Sequence, residues 1–356
     1  MNIALIGVGL IGGSIGLAAR ERLGATVRGF DTGAGVMDAG LRRGALDEGC
    51  GSVAEAVEGA DTAFVAVPVG ALARTVDETL AAAGEDCVVS DVGSTKRAVL
   101  AGRDDPRFVG GHPLAGAETS GVEHARPDLF EGATWYLTPT PSTSGMLYER
   151  LHRTVGGLGA QPAAIEAGSH DRLMASVSHL PHVLANVLVS QAAAAVGAQR
   201  EPLPATGPSF RDATRVAGAN GAIWTDIYLA NRDALVEGID ETVRRLRAVR
   251  ESLAAGDAGS VSGWNTAAAD DRRRLLEAQL AGGPAHELRV SVPNRPGVVA
   301  QIALALGRAG INIADMALYP APDMSEGVVA LWIGGDEAAD RAQTLVAELG
   351  LPVARP

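Results

Sequence analysis

The apolar positions of the chain change rhythm twice. Up to about residue 163, short β-rich apolar runs (3–6, 27–30, 62–67, 87–91, 107–110 and 135–138) alternate with segments of helical spacing (10–22, 71–83 and 145–156). This alternation predicts a parallel, doubly wound α/β sheet. From 169 to 253 strand signals vanish. Residues 178–196 and 231–253 repeat their apolar positions at helical spacing, with Arg244, Arg245, Arg247 and Arg250 on an expected solvated face, so an all-α second domain is predicted. A breaker cluster at 256–260 precedes a helix at 266–280, whose Arg272, Arg273 and Arg274 are expected to be exposed, and Gly282-Gly283-Pro284 reads as a linker. The tail then reads β (287–292), α (298–309), β (from 310), β (328–333) and α (338–349), with a short last strand at 351–353. The predicted domains are 1–163, 164–257, a helix and linker at 258–283, and an α+β unit at 284–356.

The first strand runs into Gly7-x-Gly9-x-x-Gly12 and directly on into a helix. In that setting Gly7 allows the turn, Gly9 leaves room for a pyrophosphate, and Gly12 lets helix and strand approach. The N–H groups at the helix start, around Leu10 and Ile11, favour an anion. Asp31 closes the second strand, 24 residues after Gly7. A carboxylate there can accept bonds from the ribose hydroxyls of NAD and would repel the extra phosphate of NADP. Val67 and Pro68, at the end of the third predicted strand, are expected to flank the same cofactor.

The composition narrows the function. The 356 residues are 47% hydrophobic and 20% charged, as in a globular chain. A net charge of −12 argues against nucleic acid as a partner, although clustered arginines could still bind an anionic substrate. Cys50 and Cys87 are too few for a disulfide framework or a zinc cage. The N-terminus lacks a basic stretch before its apolar run, and no segment reads as an uninterrupted membrane span. A soluble cytoplasmic protein without a membrane partner is expected.

Four clusters could carry chemistry. Asp91-Val-Gly-Ser94-Thr-Lys96 and Gly110-Gly-His112-Pro-Leu-Ala-Gly-Ala-Glu118 both follow strands, where open α/β sheets bind ligands. His112 can take a proton from a hydroxyl as hydride leaves the same carbon, with Ser94 fixing its other ring nitrogen; alternatively it only satisfies loop backbone. In His170-Asp171 and Ser178-His179-Leu-Pro-His182, the last two histidines are three apart on one expected helix face. No cysteine or nearby acid completes a metal set there, so no metal is expected; capping of a helix start is the plainer alternative. Arg211 and Arg215, ahead of Trp224, stand at i and i+4, which suits either a grip on a dianionic substrate or surface pairing with Asp212 or Asp226.

The set GVGLIGGSIG, DVGSTK, GGHPLAGAE, HDRLMASVSHLPH and FRDATR…W resembles the prephenate dehydrogenase family over residues 1 to about 255. The tail, with VPNRPGVVAQI and GINIADM, is similar to an ACT domain, a small regulatory module that usually works in pairs. The resemblance implies NAD-dependent oxidative decarboxylation of prephenate to 4-hydroxyphenylpyruvate, in tyrosine biosynthesis, by a homodimer. It implies that His112 receives the hydroxyl proton, that Ser94 orients it beside the nicotinamide, and that Arg215 and His182 bind substrate. Glu118 and Asp171 would form a charged gate, and Trp224 would pack on the pocket. Arg211 stands where the family often has lysine, and Ala117 where some relatives carry a hydroxyl. Asn294, Gly297, Asn312 and Ile313 would hold an amino-acid effector such as tyrosine. Arogenate dehydrogenase is the near alternative and a β-hydroxyacid dehydrogenase the distant one. The latter would lean on a lysine in the helical domain, and 169–196 has none.

Overall fold

The structure is a computed structural model that describes residues 1–116, 119–197, 207–218, 220–279, 285–293, 298–311, 313–321 and 326–355. It divides into two compact units, Met1–Arg244 and Arg245–Pro356. The first joins the sheet and most of the helical segment.

Eight strands build the sheet of the first unit: β1 (Asn2–Ile6), β2 (Thr26–Phe30), β3 (Glu48–Gly49), β4 (Thr62–Val65), β5 (Val88–Asp91), β6 (Phe108–Pro113), β7 (Thr134–Thr138) and β8 (Gln161–Ala164), in the spatial order β3-β2-β1-β4-β5-β6-β7-β8. Alternate side chains feed two cores. Ile3, Leu5, Phe64 and Val88 face the helices Leu10–Leu23 and Gly145–Gly157, which contribute Ile15, Ala18, Leu151 and Val155. Ala4, Ile6, Ala63, Val65 and Val89 face Val53–Val57 and Val69–Ala82, which contribute Val57, Leu72 and Val76. Burial on both faces explains why these strands read as continuous apolar runs. The chain leaves β1 to one side and returns at β4 on the other, which opens a crevice at the carboxyl ends of the strands.

The sheet is of the expected Rossmann type, with one pairing reversed. The strands from β3 to β6 are parallel, but β7 runs antiparallel to β6, and β8 follows β7. The cause lies in the connection: among the described residues between β6 and β7 there is only a short 3-10 turn, Val122–His124. No helix carries the chain across a sheet face, so the chain returns in the opposite sense.

The helical segment opens with Ala167–Met174, a π turn at Ala175–His179 and then Leu180–Gly197. Nine residues separate His170 from His179, which in a regular helix sets them roughly 180° apart. The extra residue of the π turn changes the phase, and His170, Asp171, Met174, His179 and His182 are all buried. By length and hydropathy alone the stretch Ala167–Ala195 could cross a membrane, which the sequence reading did not anticipate, but it buries three histidines and an aspartate inside the protein. After it come Pro208–Thr214, the 3-10 turn Arg215–Gly218, Gly221–Ala230 and Arg232–Ala254.

The second unit contains the helix Ala258–Gln279 and a four-stranded antiparallel sheet. Its strands β9 (Ala285–Pro293), β10 (Ile313–Pro320), β11 (Glu326–Gly334) and β12 (Val353–Ala354) lie in the order β10-β11-β9-β12. Helices Val298–Arg308 and Asp336–Glu348 close a core of Leu288, Val290, Ile302, Leu306, Leu331 and Val346. Arg272 lies over the ring of Trp332, 4.6 Å from its centroid, while Arg273 and Arg274 pair with Asp270 and Asp271.

Candidate active site

The strand ends place the sequence motifs along one edge of the sheet. Gly7 follows β1 with a φ of +97°, and a Cβ there would lie 2.4 Å from the Ala66 carbonyl oxygen. A Cβ at Gly12 would lie 2.0 Å from the Gly7 carbonyl oxygen, whereas one at Gly9 would meet nothing within 4 Å. Two glycines are thus required by the chain itself, and the middle one faces open space. Asp31, at the end of β2, accepts from Val8 N at 2.8 Å and from Gly33 N at 2.7 Å, so its carboxylate is held against the glycine turn. Val67 lies beside Gly7, and Pro68 starts the helix Val69–Ala82. Leu10 and Ile11 open the helix after the turn. This cradle fits a dinucleotide: an open backbone approach, a helix N-terminus and an acid on the neighbouring strand.

His112 is not in a loop. It is part of β6, because the antiparallel β7 extends the ladder through Pro113 and pairs His112 with Tyr136. The preceding Gly111 is squeezed: a Cβ there would come within 2.5 Å of the Asp91 carbonyl oxygen. Beneath this point lies an ion pair that sequence reasoning missed. Lys96 is fully buried; its Nζ is hydrogen-bonded to Asp91 Oδ2 and donates to the Gly111 carbonyl at 2.7 Å. Asp91 also accepts from Gly93 N and Gly111 N. Burial pushes the Lys96 ammonium down, and Asp91 works against that shift. The pair ties the turn after β5 to the strand that bears His112.

The expected bond from Ser94 to His112 is absent among the described residues. His112 Nδ1 instead lies 2.9 Å from His170 Nε2, and His170 Nδ1 lies 2.8 Å from Asp171 Oδ1. Asp171 is also not a gate. It is fully buried and accepts from the backbone N–H groups of Lys96 (2.7 Å) and Arg97 (2.9 Å). Burial resists its ionisation, but the bonds from His170, Arg97 and Lys96 prevail and hold the carboxyl below its usual range. Burial, followed by the fields of His170, Lys96 and His179, keeps His112 well below 6.5, so the imidazole is held in its neutral form.

His179 and His182 meet different partners. His179 Nδ1 lies 3.2 Å from Asn231 Nδ2, and burial lowers its pKa to about 4. Asn231 also donates to the Asp171 carbonyl at 2.7 Å, so it binds two turns of the helical run together. His182 stacks on Trp224, with centroids 3.6 Å apart and planes 5° from parallel, and its Nδ1 is hydrogen-bonded to the Tyr228 hydroxyl. Asn220 caps the helix that carries Trp224 and Tyr228, accepting from Ala222 N at 3.0 Å. The arginines depart from the expected single helix face. Arg211 belongs to the helix Pro208–Thr214, whereas Arg215 opens the 3-10 turn that packs against Leu180–Gly197. Both side chains are exposed. Asp226, one suggested partner, instead accepts from Gly70 N at 3.2 Å. Glu118, Asn294, Gly297 and Asn312 lie outside the described residues, as does Ala117; Ile313 opens β10 opposite Ile333.

The residues missed from sequence are Lys96, His170, Tyr228 and Asn231. His170 and Lys96 stood in quoted motifs without a role of their own; Tyr228 and Asn231 gave no local signal.

Three family models match the chain: the prephenate dehydrogenase nucleotide-binding domain over residues 15–163, the prephenate dehydrogenase dimerization domain over 166–264, and the ACT domain over 286–330. The prephenate dehydrogenase of Bacillus subtilis (strain 168) is 32% identical over 97% of this chain and 95% of its own length. The cyclohexadienyl dehydrogenase of Zymomonas mobilis is 32% identical over 72% of this chain and 89% of its own. Among solved structures, the prephenate dehydrogenase from A. aeolicus in complex with hydroxyphenyl propionate and NAD+ superposes with a TM-score of 0.71 at 27% identity, covering 77% of this chain and 98% of that one.

Proposed function

The chain belongs to the prephenate dehydrogenase family, and on that premise we propose that it converts prephenate to 4-hydroxyphenylpyruvate and CO2 with NAD as hydride acceptor. The observation that carries this reading is the shared sheet edge, which gathers the glycine turn, Asp31, Ser94 and His112. The A. aeolicus relative, solved with NAD+ and an aromatic acid, supports the same pairing of ligands.

Each part has a separate task. Gly7, Gly9 and Gly12 leave the helix N-terminus bare for a pyrophosphate, and the Asp31 carboxylate suits two ribose hydroxyls and disfavours a 2′-phosphate. When bound, the dinucleotide supplies the nicotinamide ring that accepts hydride. His112 has Nδ1 engaged by His170, which leaves Nε2 to take the proton from the substrate hydroxyl. The carbon bearing that hydroxyl loses a hydride, and the ring carboxylate leaves as CO2 while its bonding pair stays in the ring. Aromatisation drives the step, so the chain's main contribution is orientation. Arg215, with Arg211 near it in sequence, is assigned to the substrate carboxylates. His182 and Trp224 form an aromatic wall, and Ser94 is placed beside the nicotinamide.

The test is reduction of NAD and of NADP by the purified protein, with prephenate and arogenate offered side by side. Prephenate with NAD should be fastest. Faster turnover of arogenate would transfer the assignment to that substrate, and no turnover of either would remove it. For the tail we propose an aromatic amino-acid effector, tyrosine first, bound by paired ACT modules of a homodimer. Calorimetry of the whole protein with tyrosine should give saturable heat; silence with every aromatic amino acid would leave the module a purely dimerising one.

A further inference from the structure

Two buried groups stand behind His112 in an unbroken line. His112 Nδ1 is 2.9 Å from His170 Nε2, and His170 Nδ1 is 2.8 Å from Asp171 Oδ1. His170 and Asp171 are both 0% exposed.

The far end of this line fixes where its hydrogens sit. Asp171 faces donors alone: the N–H groups of Lys96 and Arg97, and Arg97 Nε at 3.4 Å. A carboxylate surrounded by donors is ionised and can only accept. His170 Nδ1 therefore carries the hydrogen. The His112 and Tyr136 rings meet His170 edge-on with centroids 5.1 Å and 5.9 Å away. A neutral imidazole has a single N–H, so a His170 that gives it to Asp171 presents a lone pair at Nε2. His112 Nδ1 must then be the donor, and the lone pair of His112 is left on Nε2.

We propose that His170, backed by Asp171, is a positioning residue that locks His112 in its Nδ1–H tautomer and so makes Nε2 the atom that takes the substrate's hydroxyl proton. This rests on the reading of His112 as proton acceptor given above. The logic is that of a carboxylate orienting a catalytic imidazole, with a second imidazole inserted between the two. Once Nε2 is protonated, His112 is cationic. Its Nδ1–H bond to His170 becomes charge-assisted, and the ionised Asp171 lies one ring further away. The helical run is thereby coupled to the strand: a π turn that sets the phase of His179 and His182 begins directly after the helix that carries His170 and Asp171.

The test uses the whole protein with 15N-labelled histidine. Ring-nitrogen NMR of the unliganded wild type should find His112 protonated at Nδ1 and bare at Nε2. In His170→Phe that preference should be lost, and kcat should fall on the order of a hundredfold with KM changed less than about threefold. His170→Gln offers an amide oxygen as acceptor in place of Nε2, and should restore the tautomer and most of kcat. An Nε2–H tautomer in the wild type would overturn the proposal without reference to any variant. So would a His170→Phe protein with unchanged tautomer and turnover, or a His170→Gln protein as impaired as His170→Phe. Absence of dehydrogenase turnover in the wild type would instead count against the proposed function, and the nitrogen shifts would still report on the lock.

Discussion

At the scale of single residues, chemistry depends on which atoms are free. His112→Asn keeps a polar group on β6 but removes the proton acceptor. Its kcat should drop by about 10²–10⁴-fold with KM little changed, read from initial rates. Near-normal turnover would take His112 out of the reaction. Arg215→Ala should act the other way, raising KM for prephenate strongly, since a carboxylate clamp contributes mostly to binding. His179 governs a different property. Its pKa is about 4 when folded and near 6.5 when unfolded, so between those values the unfolded chain binds more protons. Stability is therefore complete above about 6.5 and declines as pH falls towards 4, by up to about 3 kcal/mol from this residue. Urea midpoints measured across that window should fall with pH, and His179→Gln should flatten the slope. These residues were legible to different degrees. His112 follows an apolar run and two glycines and announced itself, whereas the tie between His112 and His170 joins residues 58 apart and left no local trace.

Elements decide whether those residues meet. The glycine turn is demanding: a Cβ at Gly12 would sit 2.0 Å from a backbone oxygen. Gly12→Ala must push helix Leu10–Leu23 off β1, at about 1–3 kcal/mol, and should lower the thermal midpoint and weaken NAD binding together. A variant that bound NAD normally would show that the helix start tolerates the shift. The strands and helices that surround this turn were readable because each buries a regular stripe. The π turn was not readable, because its one extra residue answers to the contacts of Asn231 and Trp224 with His179 and His182, not to local pattern. The reversal at β7 was hidden for a similar reason: strand runs look alike in either direction, and only the missing crossover helix decides.

At the scale of the whole molecule, the helical segment displays large apolar side chains that its own unit leaves uncovered. Val177, Val187, Leu229 and Val236 are 58%, 53%, 65% and 55% exposed. The match of residues 166–264 to a dimerization domain supplies a reason for such a face. Leu229→Glu should therefore lower the sedimentation coefficient towards that of a monomer, while the unmodified chain should sediment as a dimer. An unmodified chain that sediments as a monomer would defeat this expectation.

The sequence by itself determined whatever depends on neighbours in the chain: the apolar stripes of the strands and helices, the glycine turn with its acid at the end of β2, and the motifs that mark the family. Tertiary structure alone decided that His112 belongs to a strand, that Asp171 is an internal anchor, that Lys96 and Asp91 form a buried pair, and that His170 stands behind His112. The physical reason is that a stripe of burial repeats along the chain, whereas a hydrogen bond between two rings depends on helix phase and sheet register, which are settled only when distant segments pack.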